Sequence, residues 1–271
     1  MMNPQTSIRN ARLKMIIGLV AATIAVNCII LLSPSAEAKN FFGNILRPIT
    51  ASFATGLAIM VVWKQGTKGI FGRAYAALAV GLILYFIAEV TWGYYSIGLG
   101  VEVPFPSPAD GFWLAAYAPF GYGLFRLANL HSKHKNRLRQ MALIGGIAAV
   151  LSGLYIYELI SVSEVSTSDD LIGLAIGIAY PILDAILIVP ALMAVLSAGR
   201  GYLTSIPWIF ISWVFTVIAD TIFGFTAVMS VAGELSVWNL FYNAAYLSMA
   251  AGMIWHLRYM IYDPQRMKVA S

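Results

Sequence analysis

Eight long apolar segments divide this chain, and they constrain its fold more than any other feature. A helix needs roughly 20 apolar residues to cross the hydrocarbon core of a bilayer, and most of these segments reach that length. Of all 271 residues, 60% are hydrophobic and 11% are charged, whereas a soluble domain carries about 25% charged residues. The sequence therefore predicts an all-α polytopic membrane protein. The eight predicted transmembrane helices cover residues 15–33, 49–63, 74–97, 109–127, 139–161, 171–198, 203–229 and 238–260.

The basic residues predict the orientation of these helices. If the N-terminus is cytoplasmic, all but two of the 17 Lys and Arg residues fall on the cytoplasmic side, the exceptions being Lys39 and Arg47. Because basic residues concentrate in cytoplasmic loops, both termini are predicted to be cytoplasmic in a multi-pass protein of the cell membrane. The net charge of +5 then follows from topology. The expected partner is the lipid bilayer, and no nucleic acid is indicated.

Residues 1–38 offer an alternative interpretation. A basic stretch, an apolar run and then "SAEAK" resemble a signal peptide with its cleavage site. The apolar run, about 18 residues, is long for the apolar region of a signal peptide. The first segment also has a counterpart in the second half of the chain, which favours its retention in the mature protein.

An internal duplication connects the two halves of the chain. "RLKMIIGLVAATIAV" matches the later "RQMALIGGIAAVLSG", and "AEVTWGYY" matches "ADTIFGFT", which aligns Glu89 with Asp220. "SPADGFWLAAYAPFGYG" matches "SVWNLFYNAAYLSMAAG", which aligns Tyr117 with Tyr246. The three matches occur in the same order and at nearly the same offset, as expected of a structural repeat.

Each half of the chain would contain four of the predicted spans. An even number of spans returns the chain to its starting side, so the two copies have the same orientation in the membrane. The sequence therefore predicts two parallel four-helix repeats, residues 1–130 and 131–271, that together form one membrane domain.

The stretch "PFPSPADGFWLAAY" begins the fourth predicted helix. Ser107 is a favourable N-cap, Pro108 suits the first helical position, and Asp110 completes a capping-box pattern near the positive helix end. Asn239 occupies the position of Asp110 in the second repeat. Asp110 is therefore either a residue that starts a helix or part of an outer vestibule with Glu102.

Three acidic residues, Glu89, Asp184 and Asp220, lie within predicted spans. An ionised carboxylate at bilayer depth costs at least ~2.5–3.5 kcal/mol on the insertion scale, so such residues face the bundle interior and are functional candidates. If the repeats pack about a pseudo-twofold axis, Glu89 and Asp220 approach each other and can share a proton. No basic residue lies in these predicted spans, so we expect the acids to be protonated, or held by Tyr and Thr hydroxyls such as those of Thr91 and Thr221. Proton relay, cation binding, acid–base chemistry and a structural interhelical hydrogen bond stay open.

The candidate ligand- or proton-binding residues combine these acids with nearby aromatic and amide side chains. They are Glu89, Trp92, Asp110, Tyr117, Asp184, Asp220, Asn239 and Tyr246. The single cysteine, Cys28, and three scattered histidines predict neither a disulfide nor a metal site. No nucleotide-binding, serine-hydrolase or zinc-peptidase motif occurs, so the sequence identifies no catalytic residue and no cofactor.

Two motifs connect the chain with a known group of membrane proteins. The segment from Pro104 to Leu114 reads P-x-P-S-x-A-D-x-F-x-L, and the segment from Ala219 to Phe223 reads A-D-x-x-F, before Gly233, Trp238 and Tyr246. In both motifs the chain resembles the multi-span sensory regions that precede diguanylate cyclase modules in many bacteria, and their stand-alone archaeal relatives. The resemblance covers most of the chain and implies a membrane sensor. Only a short tail follows the last predicted span, so signalling is expected to need a separate membrane or cytoplasmic partner.

Two classes of function follow from these features. The first is a non-enzymatic sensor or accessory protein that binds a small or lipophilic ligand, or the helices of a partner, within the bundle. The alternative is an intramembrane acid–base enzyme or a proton-coupled carrier that uses the paired acids. There is a fainter similarity to the eight-span lysoplasmalogenase-like hydrolases, which also place acids in their helices, but their full set of residues is not matched and no site residue is carried over. A second copy of the chain is a further candidate partner.

Overall fold

The structure, a computed structural model, describes residues 4–101, 103–130, 137–163, 167–197, 206–228 and 237–262. These residues form helices and no strands, so the predicted all-α class is confirmed. The eight α-helices are α1 (Pro4–Leu31), α2 (Ala36–Gln65), α3 (Gly69–Gly93), α4 (Pro108–Leu130), α5 (Arg137–Val162), α6 (Ser168–Ser197), α7 (Ile206–Val228) and α8 (Val237–Trp255). Short π-helical turns, Tyr94–Gly98 and His256–Tyr262, continue α3 and α8.

Several residues singled out in the sequence lie outside the described ranges. They include Glu102 of the predicted vestibule, His131 and His134, Gly233 of the sensory motif, and basic residues that follow α4, α6 and α8.

Within the described residues, six helical segments are long and apolar enough to cross a membrane. They are Asn10–Leu31, Ala36–Gln65, Gly69–Gly98, Leu138–Val162, Asp170–Met193 and Pro207–Gly224. Multiple spans are therefore confirmed, whereas α4 and α8, also predicted to cross, are less apolar. α8 carries Asn239, Asn243 and Ser248 among its buried residues, and α4 contains Asp110 and Arg126. A helix enclosed by other helices can direct polar side chains to its neighbours instead of to lipid.

The second helix is much longer than the predicted segment 49–63. α2 runs for 30 residues, and Ser35 caps its start by accepting a hydrogen bond from the Ala38 N–H at 3.1 Å. Pro48 lies inside the helix, and Arg47, expected in a loop, is buried with 2% of its surface exposed. The prediction of a short second span is wrong because Arg47 is charged and yet belongs to the buried face of the helix.

The core is built from α2, α3, α4, α7 and α8, and α6 packs against α4 and α7. In α2 the small side chains of Ala51, Ala54 and Ala58 are fully buried, which lets neighbouring helices approach closely. α1 and α5 lie at the periphery, where few of their residues are buried. Their exposed side chains are mainly apolar, as Ile17 and Leu154 show, and a lipid environment suits such a surface.

Two glycines set the close approach of α3 and α4. A Cβ added at Gly81 would lie 2.8 Å from the Phe120 ring. A Cβ added at Gly123 would lie 2.9 Å from the Leu78 side chain and 3.0 Å from the Ala74 carbonyl oxygen. Larger residues at these positions would overpack the interface.

Candidate functional site

The first cluster of buried polar side chains joins α2, α3 and α8. Arg47 Nε lies 3.4 Å from Glu89 Oε2, and both side chains are almost fully buried. The Tyr246 hydroxyl donates a hydrogen bond to Glu89 Oε1 at 2.8 Å. The expectation that no basic residue neutralises the buried acids is therefore wrong, because α2 brings Arg47 to Glu89 from another helix.

Aromatic rings and one amide hold the Arg47 guanidinium in place. Its central carbon lies 5.4 Å from the Trp92 ring centroid and 5.7 Å from the Tyr242 ring centroid, within the range of cation–π attraction. Asn44 Oδ1 accepts hydrogen bonds from Arg47 Nη2 at 3.2 Å and from Trp92 Nε1 at 3.1 Å. The candidate residue Trp92 thus belongs to the Arg47–Glu89 cluster.

The second cluster brings together α4, α6, α7 and α8. The Tyr117 hydroxyl donates to Asp184 Oδ1 at 2.7 Å and lies 3.4 Å from Asp220 Oδ2. The Tyr242 hydroxyl donates to the other oxygen, Asp220 Oδ1. A tyrosine hydroxyl has one hydrogen to donate, so Tyr117 serves one carboxyl at a time. Asp220 is therefore paired with Asp184 across Tyr117, while Glu89 is paired with Arg47.

Tyrosine hydroxyls hold these acids, as expected, whereas the two threonine hydroxyls expected in the same role do not. Thr91 and Thr221 each donate at 2.8 Å to a carbonyl oxygen one turn earlier in their own helices, and both bonds are exposed. A threonine hydroxyl in a helix has its nearest acceptor in that preceding turn. The longer tyrosine side chain reaches across to a neighbouring helix.

Asp110 starts α4 and also connects this helix to α6. Its Oδ2 accepts hydrogen bonds from the Ser107 N–H at 2.7 Å and the Ser107 hydroxyl at 2.9 Å. In a capping box the third helical residue reaches back to the N-cap in this way. The Tyr180 hydroxyl of α6 donates to Asp110 Oδ1 at 2.9 Å. With 3% of its surface exposed, Asp110 fits the helix-start interpretation and also ties two helices together.

Asn239 does not repeat the role of Asp110. It is 2% exposed and packs against α2, where a Cβ at Gly43 would lie 2.5 Å from Asn239 Nδ2. Among the described residues its amide oxygen has no hydrogen-bond donor. The aligned positions of the two halves therefore differ in their contacts.

A cavity of about 1680 Å³ lies among helices α2 to α8. Five candidate residues line it, namely Trp92, Asp110, Asp184, Asp220 and Asn239. The other three, Glu89, Tyr117 and Tyr246, are buried behind its wall and hold the groups that face it. Gly224 of α7 leaves room for Tyr155 of α5, because the Tyr155 hydroxyl occupies the space that a side chain at Gly224 would need.

Sequence reasoning missed four residues of this site, namely Asn44, Arg47, Tyr180 and Tyr242. Arg47 carried a signal, since it is one of two basic residues that break the charge partition. The tyrosines carried none, because aromatic residues are common throughout membrane helices and their interfaces. Their roles depend on which helices become neighbours.

The site offers carboxyl groups, tyrosine hydroxyls and one paired guanidinium beside a large apolar space. Within the described part of the chain, no group of three or more His, Cys, Asp and Glu side chains is placed to hold a metal ion. In comparisons with known proteins, no protein family, no curated protein and no solved structure matches this chain. Function is therefore inferred from the geometry of the site.

Proposed function

We propose that this protein is a multi-pass membrane sensor or accessory protein that binds a small or lipophilic ligand inside its helical bundle. The observation that supports this most directly is the cavity of about 1680 Å³, with apolar and aromatic walls and a few polar groups. Ligand sites in proteins have this kind of lining, and this volume exceeds their usual roughly 300–1,000 Å³, which leaves room for a large or lipophilic molecule. Ile147 and Leu151 of α5 line the cavity and are also exposed on the periphery, so a lipophilic molecule can enter from the bilayer.

We also propose that all eight helices cross the cell membrane as two parallel four-helix repeats with cytoplasmic termini. Two hydrogen bonds between the repeats support this arrangement. Tyr246 of α8 donates to Glu89 of α3, and Tyr117 of α4 contacts Asp220 of α7. Glu89 aligns with Asp220 and Tyr117 aligns with Tyr246, so the two contacts are equivalent under the repeat. In the same way α2 corresponds to α6 and α8 to α4, so the α2–α8 contact corresponds to the α4–α6 contact.

Signalling in this proposal starts at α6. This helix carries Asp184 at the cavity and has Pro181 and Pro190 in its interior. Interior prolines remove helical hydrogen bonds and permit bending. A ligand that contacts Asp184 can therefore change the bend of α6, and a separate membrane or cytoplasmic partner reads that change. The resemblance to sensory regions that precede diguanylate cyclase modules supports this role.

Adjacent alanines of α5 provide a matched test of ligand binding. Ala148 lines the cavity, whereas Ala149 is exposed and lies outside it. We expect native mass spectrometry of protein in lipid–polymer particles to find a lipophilic molecule bound to the wild type. Ala148→Trp should lose this molecule because the indole fills the cavity, and Ala149→Trp should keep it. Equal occupancy in both variants, or an empty wild type, would contradict the proposal.

One observation favours a second candidate function. The carboxyl groups of Asp184 and Asp220 lie 2.7 Å and 3.4 Å from the same Tyr117 hydroxyl, and carboxyl pairs that share one hydrogen are found in acid–base sites. An intramembrane acid–base enzyme, such as a lysoplasmalogenase-like hydrolase, or a proton-coupled carrier would use this pair. In liposomes supplied with lysoplasmalogen, turnover that Asp220→Asn abolishes in a folded protein would favour the enzyme. Proton-coupled uptake lost in the same variant would favour the carrier, and a sensor shows neither.

A further inference from the structure

We infer that the cavity binds a long-chain amphiphile with a cationic ammonium head group. This inference rests on the proposed ligand-binding function and adds the chemical class of the ligand. Three features of the cavity support it: the sign of its charges, an aromatic wall next to the acids, and an apolar groove along α5.

The charges that line the cavity are mainly negative. Arg47 is the one basic residue among the described lining residues, and Glu89 pairs with it at 3.4 Å. Asp184 and Asp220 face the cavity as a close pair whose hydrogen-bond donors are the neutral hydroxyls of tyrosines. Two carboxylates at one site repel each other, and a nearby positive charge stabilises both. An ammonium group in the cavity would supply that charge.

An aromatic wall stands next to the carboxyl pair. Phe223 follows Asp220 by three residues, so both lie on the same face of α7 about one turn apart. The Trp92 ring centroid lies 5.7 Å from that of Trp113 and 5.8 Å from that of Phe223, and Phe223 lies 5.6 Å from Trp238. All four rings line the cavity. Aromatic faces attract ammonium groups, and aromatic cages recognise quaternary ammonium ligands.

An apolar groove provides space for the chain of the ligand. Cavity-lining residues of α5 extend from Ile144 to Leu159, a helical distance of about 22 Å at the standard rise per residue. Ile147 and Leu151 within this stretch are exposed on the lipid side. The groove is thus long and open to the bilayer, as binding of an amphiphile requires.

Probes that share a chain but differ in head group test this inference directly. In neutral maltoside micelles, tryptophan fluorescence gives dissociation constants for dodecyltrimethylammonium, dodecanol and dodecyl sulfate. We expect the ammonium probe to bind at least about 10-fold more tightly than the other two. Tetramethylammonium, which lacks the chain, should bind more weakly than dodecyltrimethylammonium.

Matched variants separate the cavity acids from the general charge of the protein. Asp184→Asn combined with Asp220→Asn should reduce the head-group preference to less than about threefold, because the attraction of the carboxylates is lost. Glu158→Gln removes an exposed acid of α5 outside the cavity and should leave the preference unchanged. If the double variant does not elute as a folded protein in size-exclusion chromatography, the Asp184→Asn variant alone provides the same comparison.

Three outcomes would overturn the inference. Equal affinity for the three head groups, or a preference for sulfate at Arg47, would exclude a cationic ligand while leaving the cavity as a ligand site. A preference that survives in the variants of Asp184 and Asp220 would separate cation binding from these acids. Absence of any probe binding, with no effect of Ala148→Trp, would contradict the proposed function as well.

Discussion

Arg47 of α2 and Glu89 of α3 form a buried ion pair, with Nε 3.4 Å from Oε2. The pair places one positive and one negative charge inside the bundle, where each stabilises the charged form of the other. Two aromatic rings flank the guanidinium, and the Tyr246 hydroxyl donates to the carboxylate. The pair therefore connects three helices of the core and leaves the carboxyls of α6 and α7 as the uncompensated acids.

Breaking this ion pair should strongly destabilise the fold. Arg47→Met or Glu89→Gln alone removes one partner of a buried pair, which costs about 3–5 kcal/mol because the remaining charge has no counterion. The double variant buries no unpaired charge and should lose less free energy of unfolding than the sum of the two single variants. Unfolding by sodium dodecyl sulfate in mixed micelles measures all three values. Additive losses would show that the two side chains do not interact.

Loss of the Tyr117 hydroxyl should weaken the packing of α4 against α6 and α7. In Tyr117→Phe, the buried Asp184 loses its donor at 2.7 Å, and an unsatisfied buried acceptor costs about 1–3 kcal/mol. Tyr122→Phe is a matched control on the same helix because Tyr122 is 47% exposed. The control should change the free energy of unfolding by less than about 0.5 kcal/mol. If Tyr117→Phe and Tyr122→Phe change the free energy of unfolding equally, the Tyr117 hydroxyl does not stabilise the carboxyl cluster.

The capping boxes that start α4 and α6 differ in burial, so their removal should lower the free energy of unfolding by different amounts. Asp110 of α4 accepts from the Ser107 N–H and from Tyr180, whereas Asp170 of α6 accepts from the Thr167 N–H at 2.8 Å in an exposed position. We expect Asp110→Ala to lower the free energy of unfolding by about 2–3 kcal/mol, because buried donors are left unsatisfied. Asp170→Ala should lower it by about 1 kcal/mol, as exposed caps do. Equal losses would mean that the Tyr180 contact contributes nothing.

Local sequence patterns predicted the helices of this protein better than the contacts between them. The fourth span was predicted at residues 109–127 and α4 runs from Pro108 to Leu130, because the serine, proline and aspartate at its start act through neighbouring backbone groups. The partner of Asp220 could not be predicted in this way. Asp184 reaches it only because α6 packs beside α7, and no residue spacing along the chain encodes that contact.

The ion pair of Arg47 is a second contact between helices that local sequence patterns could not predict. Charge counting treated Arg47 as an exception because it falls on the non-cytoplasmic side of the predicted topology. In the structure it lies inside α2, where an isolated charge would be costly. The sequence does not reveal how this charge is compensated, because the carboxylate of Glu89 that pairs with it lies on a different helix. Exceptions to a charge partition are therefore useful pointers to buried ion pairs.

Substitution of glycine by alanine should affect stability differently at the close α3–α4 interface and at the lipid-facing periphery. Gly123→Ala places a methyl group 3.0 Å from the Ala74 carbonyl oxygen, and such overpacking costs about 1–3 kcal/mol. Gly146 of α5 has no atom within 4 Å of an added Cβ. Gly146→Ala should therefore be neutral or stabilising by up to about 1 kcal/mol, because alanine favours a helix. Thermal unfolding in detergent compares the two, and equal shifts would contradict the observed packing.

Cysteine labelling on the two sides of α4 tests whether this less apolar helix crosses the membrane. In a Cys28→Ser background, Val101→Cys precedes α4 and Leu138→Cys follows it, and both positions are exposed. α4 can cross the membrane if its polar face is enclosed by other helices. In that case positions 101 and 138 lie on opposite sides, and a membrane-impermeant maleimide added to intact cells should label position 101 and not position 138. Ser163→Cys at the far end of α5 is the control and should behave like position 101, since α5 is apolar enough to span. If positions 101 and 138 are labelled from the same side, α4 does not cross the membrane. The proposed parallel arrangement of the two repeats would then be wrong as well.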